Sequence, residues 1–240
     1  CMFYLSDYEG FSPNKAINET NLLDIILSTN TDISWIDNNS GCKHVCDRVK
    51  TTELSTEKKT NYDEILLTYV DELILQSKNN KNLIILHTAG SHGPKYYKRY
   101  PDKFDFFKPS CKSNNPQDCT KEELTHAYQN TILYTDYFLS LLIKRLKQLD
   151  HESFMIYASD HGESLGEHGL YLHGVPRSIA PKEQIHIPWI MWFSDQYKQN
   201  NDLKFVSEDT EISHEYFPHT ILKALKIEST LYKQNKSLIK

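Results

Sequence analysis

The chain has 240 residues, of which 39% are hydrophobic, 12% aromatic and 25% charged. That balance is too apolar for a disordered chain, and the length suffices to bury a core without cross-links. With 27 Lys and Arg against 32 Asp and Glu, the net charge is −5; an acidic balance with no long basic run excludes a protein that coats nucleic acid.

In chain order, Asn21–Ser28 reads as a short helix and Asp32–Ile36 as a strand. Residues 61–75 carry helical periodicity, with Ile65, Leu66, Tyr69 and Leu73 on one face. Asn82–Leu86 is a short buried strand. Thr120 and Glu123 form a capping box that opens a long helix, whose apolar face runs through Leu124, Tyr128, Leu139, Leu142 and Leu146. Phe154–Ala158 and Pro188–Phe193 read as two more buried strands, and Ser213 as the cap of a final helix reaching about Leu225. Strands that alternate with helices and are apolar on both faces predict an α/β fold, with a central, mostly parallel sheet and helices on both faces. No linker composition divides the chain, so 1–240 reads as a single domain with a loose tail over about 228–240.

The longest apolar stretches run to about seven residues, as at Ile187–Phe193, far short of the ~20 that span a bilayer. No signal peptide opens the chain, which starts at Cys1 in the manner of an excised domain or a processed fragment. The other cysteines are Cys42, Cys46, Cys111 and Cys119. Their Cys-x3-Cys and Cys-x7-Cys spacings can each close a local loop. Zinc sites usually repeat Cys-x2-Cys, so two local disulfides and an oxidising compartment are the better reading, against buried reduced thiols. Cys1 is left without a partner.

Open parallel sheets bind ligands beyond the carboxyl ends of their strands. The residues that follow each apolar strand are therefore the candidates. After Phe154–Ala158 come Asp160 and His161, an oxygen and a nitrogen donor of the type that binds Zn²⁺ or Mn²⁺. His87 and His92 follow Asn82–Leu86 and are candidate ligands too. Lys43, near Asn39 after the first strand, suits an anion as a point charge and a donor. Glu163 can accept from a ligating histidine or attract a cationic group, and His173 lies in the loop beyond it. No Gly-x-Ser-x-Gly elbow, P-loop or dinucleotide fingerprint is present, so this inventory holds no nucleophile.

Four segments together carry a specific resemblance: residues 157–174 (YASDHGESLGEHGLYLHG), 35–48 (WIDNNSGCKHVCDR), 86–94 (LHTAGSHGP) and 97–101 (YKRYP). They resemble the lipid A phosphoethanolamine transferases, a family that includes the mobile colistin-resistance enzymes. The resemblance implies an alkaline-phosphatase/sulfatase-like domain on the periplasmic face of the inner membrane, anchored by an N-terminal bundle of transmembrane helices. It implies zinc held by a Glu, by a nucleophilic Thr and by the pair that maps onto Asp160 and His161. It maps substrate contacts onto Asn39, Lys43 and Glu163. His92 and His173 become additional site histidines that bind substrate and can protonate a leaving alkoxide. The family's disulfides map as Cys42–Cys46 and Cys111–Cys119.

The implied activity is transfer of phosphoethanolamine from phosphatidylethanolamine to lipid A, a glycan or a protein, through a phosphothreonine. Added ethanolammonium would lower the negative charge of the surface and with it the binding of cationic peptides such as polymyxins. The family's Thr and zinc-binding Glu precede the position of Cys1. The resemblance thus makes this stretch the C-terminal part of a catalytic domain, inactive by itself. A monomer is expected, with no nucleic-acid partner. The alternatives are a sulfatase or phosphomonoesterase of the same superfamily, a phosphoglycerol transferase, and a non-catalytic lipid- or glycan-binding module.

Overall fold

A computed structural model of the chain describes residues 2–7, 12, 18–54, 61–76 and 81–240; Cys1 and its pairing lie outside the described residues. The chain forms two compact units, one of residues 1–61, 65–88 and 198–240, the other of residues 62–64 and 89–197.

The first unit is built on a parallel sheet. Strand β1 (Thr31–Asp37) runs between β2 (Lys50–Glu53) and β3 (Lys81–His87), in the order β2-β1-β3. Ile33, Trp35 and Ile36 of β1 are buried, as the apolar run predicts for a central strand. The β1–β3 register runs from Thr31 opposite Lys81 to Asp37 opposite His87, so two ionisable side chains end side by side. Helix α1 (Leu22–Leu27) is capped by Asn21, with Asp24 completing a capping box, and it packs on β1.

Helix α2 (Ile65–Gln76) buries Leu66, Leu67 and Val70 rather than the expected face of Ile65, Leu66, Tyr69 and Leu73. The segment ILLTYVDELIL is apolar on more than one side, so periodicity alone does not choose its face, and Leu75 ends up 86% exposed. The final helix, numbered α6 in chain order, is Tyr216–Ala224; Ser213 Oγ accepts from the Glu215 N–H two residues on, before the helix begins, and Glu215 takes the cap position.

The expected loose tail is a correction. Leu238 and Ile239 are buried, Ile239 bridges antiparallel to Phe205, and the Leu238 N–H donates to Thr220 Oγ1 at 3.0 Å. Two apolar side chains so close to the end find a core, which outweighs the polar composition around them.

The second unit centres on α3 (Lys121–Leu146), which starts at the expected Thr120–Glu123 capping box. Its buried side holds Leu124, Leu139 and Leu142 as expected, and also two polar residues, Asn130 and Thr131. The Asn130 Oδ1 accepts from the N–H groups of Phe106 and Phe107, and its Nδ2 donates to the Phe107 carbonyl at 3.1 Å. An interior amide thus fixes the loop packed over the helix. Strand β4 (Phe154–Ala158) pairs with β7 (Trp189–Phe193) antiparallel, with Phe154 opposite Phe193 and Ala158 opposite Trp189. Both strands were expected in a mostly parallel sheet. The loop from 159 to 188 carries the chain back without a crossover helix, and such a return leaves neighbours antiparallel. Short strands β5 (Ser164–Leu165) and β6 (Tyr171–Leu172) pair within that loop, α4 (Lys182–Ile185) follows them, and α5 (Asp195–Asn200) follows β7.

Both expected disulfides form. Cys42–Cys46 has a Cα–Cα distance of 5.8 Å and Cys111–Cys119 one of 5.7 Å, inside the bonded range. No helix among the described residues is long and apolar enough to cross a membrane.

His219, on α6, is 2% exposed, and its Nδ1 accepts the Lys233 N–H at 3.2 Å. Burial, helped by the nearby Lys233 and Lys236 charges, pushes its pKa down to about 4. Below its ordinary value of ~6.5 the unfolded chain takes up a proton that the folded chain refuses, so stability falls as the pH drops toward 4. Urea unfolding followed against pH should show about 1–2 kcal/mol lost from this group between pH ~6.5 and ~5. His219→Gln should remove that part of the slope; an unchanged slope in the variant would rule out His219 as its source.

Candidate metal centre and anion-binding loop

In the second unit, the residues after β4 make a tight passage. A Cβ on Gly162 would lie 2.0 Å from the Glu183 carbonyl oxygen, so only glycine fits there, and its N–H donates to the Gln184 carbonyl at 2.9 Å. This close approach holds His161 and Glu163 on either side of a fixed backbone.

His161, His92 and His173 come together from three stretches of chain. One ring nitrogen from each lies within 4.8 Å of the other two. The His161 and His173 rings stack with centroids 3.7 Å apart, and His92 meets His173 edge-on at 4.9 Å. Nδ1 of each ring faces an oxygen. Nδ1 of His92 is 2.7 Å from the Gly93 carbonyl, Nδ1 of His161 is 3.0 Å from the Gly162 carbonyl, and Nδ1 of His173 is 3.0 Å from Glu163 Oε1. A carbonyl oxygen can only accept, so Nδ1 of His92 and His161 carries the proton and Nε2 keeps its lone pair. This is how metal-ligating histidines are usually held.

Asp160 stands beside them with its side chain 66% exposed; its Oδ1 accepts the His161 N–H at 3.1 Å and is 3.7 Å from His161 Nε2. Two ligand atoms each about 2.0–2.2 Å from one tetrahedral ion would be roughly 3.3–3.6 Å apart, so a small adjustment lets this pair share an ion. Three imidazoles with a nearby carboxylate are a donor set that zinc accepts.

The loop that carries His92 is pinned on several sides. The Asp63 carboxylate accepts the N–H groups of Ala89 and Gly90 at 2.8 and 2.9 Å. Arg99 Nε donates to the His92 carbonyl at 2.8 Å, and the Thr131 and Ser91 hydroxyls are 2.7 Å apart. Burial lowers the pKa of Arg99, against the opposing pull of Asp63 and Glu163. Glu163, with its side chain 3% exposed, accepts the Gly93 N–H through Oε1 and the Tyr96 hydroxyl through Oε2.

In the first unit, Asp37 shapes the other candidate feature. Its Oδ1 accepts the N–H groups of Asn39 and Gly41 at 2.9 and 3.2 Å. Its Oδ2 accepts from Trp35 Nε1 at 3.0 Å and lies 2.6 Å from His87 Nδ1. Burial acts to raise the pKa of Asp37, but the donors from His87, Trp35 and the Asn39 N–H outweigh it and bring it down to about 2. His87, a candidate ligand by sequence, is thus the partner of Asp37 and belongs to no cluster of three potential ligands among the described residues.

The turn that Asp37 organises presents Asn39 half-buried and Lys43 exposed, and the Cys42–Cys46 disulfide closes it. Lys43 and His44 both adopt positive φ, at 50° and 69°. Two successive non-glycine residues in that region are a local cost that surrounding structure must hold, as happens at ligand-binding loops. Of the residues expected from sequence, His92, His161, Glu163 and His173 meet in one cluster with Asp160 at its edge, while Asn39 and Lys43 share one loop. Sequence reasoning did not single out Tyr96, Arg99 or Asp63. Arg99 lies within the YKRYP segment and Tyr96 immediately before it, and nothing in the sequence marks Asp63.

The sulfatase family profile matches residues 1–227. The phosphoethanolamine transferase EptA of Salmonella typhimurium is 43% identical over 208 residues, which cover 83% of this chain and 38% of that protein. The chain thus spans less than half the length of that relative. Among solved structures, the soluble domain of lipooligosaccharide phosphoethanolamine transferase A from Neisseria meningitidis superposes with a TM-score of 0.94 at 38% identity, covering 100% of this chain and 75% of that one. The C-terminal periplasmic domain of phosphoethanolamine transferase EptC from Campylobacter jejuni gives 0.86 at 40% identity, covering 99% and 76%. The α/β fold is therefore of the sulfatase and alkaline-phosphatase kind. On this match over most of its length, the chain belongs to the sulfatase family, in the branch of the phosphoethanolamine transferases.

Proposed function

We propose that this chain serves the zinc-dependent transfer of phosphoethanolamine from phosphatidylethanolamine to lipid A or another cell-surface acceptor, at the periplasmic face of the inner membrane. The observation that carries the reading is the histidine cluster, whose tethered Nδ1 atoms leave imidazole nitrogens gathered within 4.8 Å beside Asp160. The family match supports the phosphoryl chemistry.

In this reading Asp160 and His161 hold the zinc. When bound, zinc supplies a positive charge next to the phosphoryl group and lowers the pKa of an adjacent hydroxyl. A threonine outside these 240 residues carries phosphoethanolamine between donor and acceptor. Lys43 places a charge, and Asn39 an amide donor, against phosphoryl oxygens, where negative charge grows during displacement. His92 and His173 add their ring nitrogens to the donor set around the ion, each held from behind through Nδ1, His92 by the Gly93 carbonyl and His173 by Glu163. Glu163 fixes the ring of His173: its Oε1 faces His173 Nδ1 and accepts the Gly93 N–H, and its Oε2 accepts the Tyr96 hydroxyl.

The sulfatase profile favours one second reading, hydrolysis of a soluble sulfate or phosphate ester. Water as acceptor separates the two: release of phosphoethanolamine or sulfate at a rate matching lipid modification would favour the hydrolase.

Two outcomes test the proposal. Equilibrium dialysis of the chain against zinc should give binding, and His161→Ala should weaken it by at least about 100-fold; equal affinity in the variant would remove His161 from the site. In the full-length protein, Lys43→Ala should cut phosphoethanolamine transfer by about 10²–10³-fold with zinc content unchanged, the cost expected for losing one stabiliser of growing charge. Unchanged transfer would remove Lys43 from the reaction.

A further inference from the structure

The Glu163 carboxylate has a partner that belongs to neither the ligands nor the substrate contacts. Tyr96 is 2% exposed, its ring meets Tyr128 edge-on at 5.6 Å, and it packs in a core with Cys111, Leu124 and Ala127. Its hydroxyl donates to Glu163 Oε2 at 3.1 Å, across 67 positions of sequence. The other oxygen, Oε1, serves both the Gly93 N–H at 3.2 Å and His173 Nδ1 at 3.0 Å. The hydroxyl lies close against the Gly93 backbone, where a Cβ would be only 2.8 Å from it. A chain of fixed contacts therefore runs from the α3 core through Tyr96 and Glu163 to the ring of His173, and through the Gly93 N–H to the residue after His92.

We propose that Tyr96 is a positioning residue for the metal centre: its hydroxyl locks Glu163 in the rotamer that holds His173 with Nδ1 protonated and Nε2 turned toward His92 and His161. Tyr96 touches neither metal nor substrate and acts only through Glu163. Without the hydroxyl, one oxygen of a buried carboxylate loses its donor, the side chain gains a reason to rotate, and His173 loses its fixed acceptor. Loss of such an outer partner weakens metal binding by about 10–100-fold. The proposal rests on the metal-holding reading of the histidine cluster, and the test separates the two.

The test compares the wild-type 240-residue chain with Tyr96→Phe, which keeps the buried ring, and with Tyr128→Phe, which removes the hydroxyl of a neighbouring, partly buried tyrosine with no hydrogen bond to Glu163. Zinc affinity is read by competition with a chelator, and the His173 tautomer by ring ¹⁵N NMR of the metal-free protein. Tyr96→Phe should weaken zinc binding about 10–100-fold and replace the single Nδ1–H signature of His173 by a mixture, while Tyr128→Phe changes neither. In a Glu163→Ala background the hydroxyl has nothing to hold, so adding Tyr96→Phe should change affinity by less than about twofold.

Wild-type affinity and tautomer in Tyr96→Phe, or a full independent effect in the Glu163→Ala background, would overturn the proposal. A changed His173 tautomer in a chain that binds no zinc even as wild type would uphold the tether and overturn the metal reading instead.

Discussion

Three imidazoles face one another in this protein because each is held from behind. The contacts from Nδ1 of His92, His161 and His173 to the Gly93 carbonyl, the Gly162 carbonyl and the Glu163 carboxylate fix how each ring is turned. Untethered, the rings would rotate about their side-chain bonds, and a cation would meet an arrangement that had to be ordered at the moment of binding. Two of the three tethers come from the backbone of the next residue, so ring orientation is set by local chain path. The same local path demands glycine at 162, where a Cβ would lie 2.0 Å from the Glu183 carbonyl oxygen. The third tether is longer in sequence and depends on the α3 core, through Tyr96 and Glu163.

The same device recurs in the first unit with a carboxylate at its centre. Asp37 gathers two backbone N–H groups, the Trp35 indole and His87, and so converts the end of a buried strand into a fixed turn. Its low pKa follows from those donors, which more than offset burial. The turn carries Asn39, and the disulfide-closed loop beyond it carries Lys43 on strained backbone. Saturated acidic side chains, each serving as a hub for local donors, are the shared logic: Asp37, Asp63 and Glu163 order the loops that carry candidate functional groups.

Much of this was legible in the sequence where the signal was local. The Thr120–Glu123 capping box, the central strand around Ile33–Ile36 and both disulfides stand as read. So does the placement of Asp160, His161 and Glu163 just beyond the end of one strand. Signals that depend on the partner were not legible. The face of α2 was ambiguous because its sequence is apolar nearly all round, and the antiparallel β4–β7 pairing depends on how a 30-residue loop returns. The burial of Leu238 and Ile239 depends on a partner strand segment at Phe205. Among site residues, His87 looked like a ligand because it follows a strand, yet its register opposite Asp37 gives it a different partner. Tyr96 and Asp63 act through contacts to distant segments, which no spacing rule reveals.

The account stands on the claim that the histidine cluster holds a metal ion through Nε2. The most direct measurement is X-ray absorption at the zinc edge on the zinc-loaded protein. The account predicts a four-coordinate shell of nitrogen and oxygen at about 2.0–2.1 Å, with outer-shell scattering from at least one imidazole ring that disappears or weakens in His161→Ala. A six-coordinate, all-oxygen shell with no imidazole scattering, identical in wild type and variant, would contradict it.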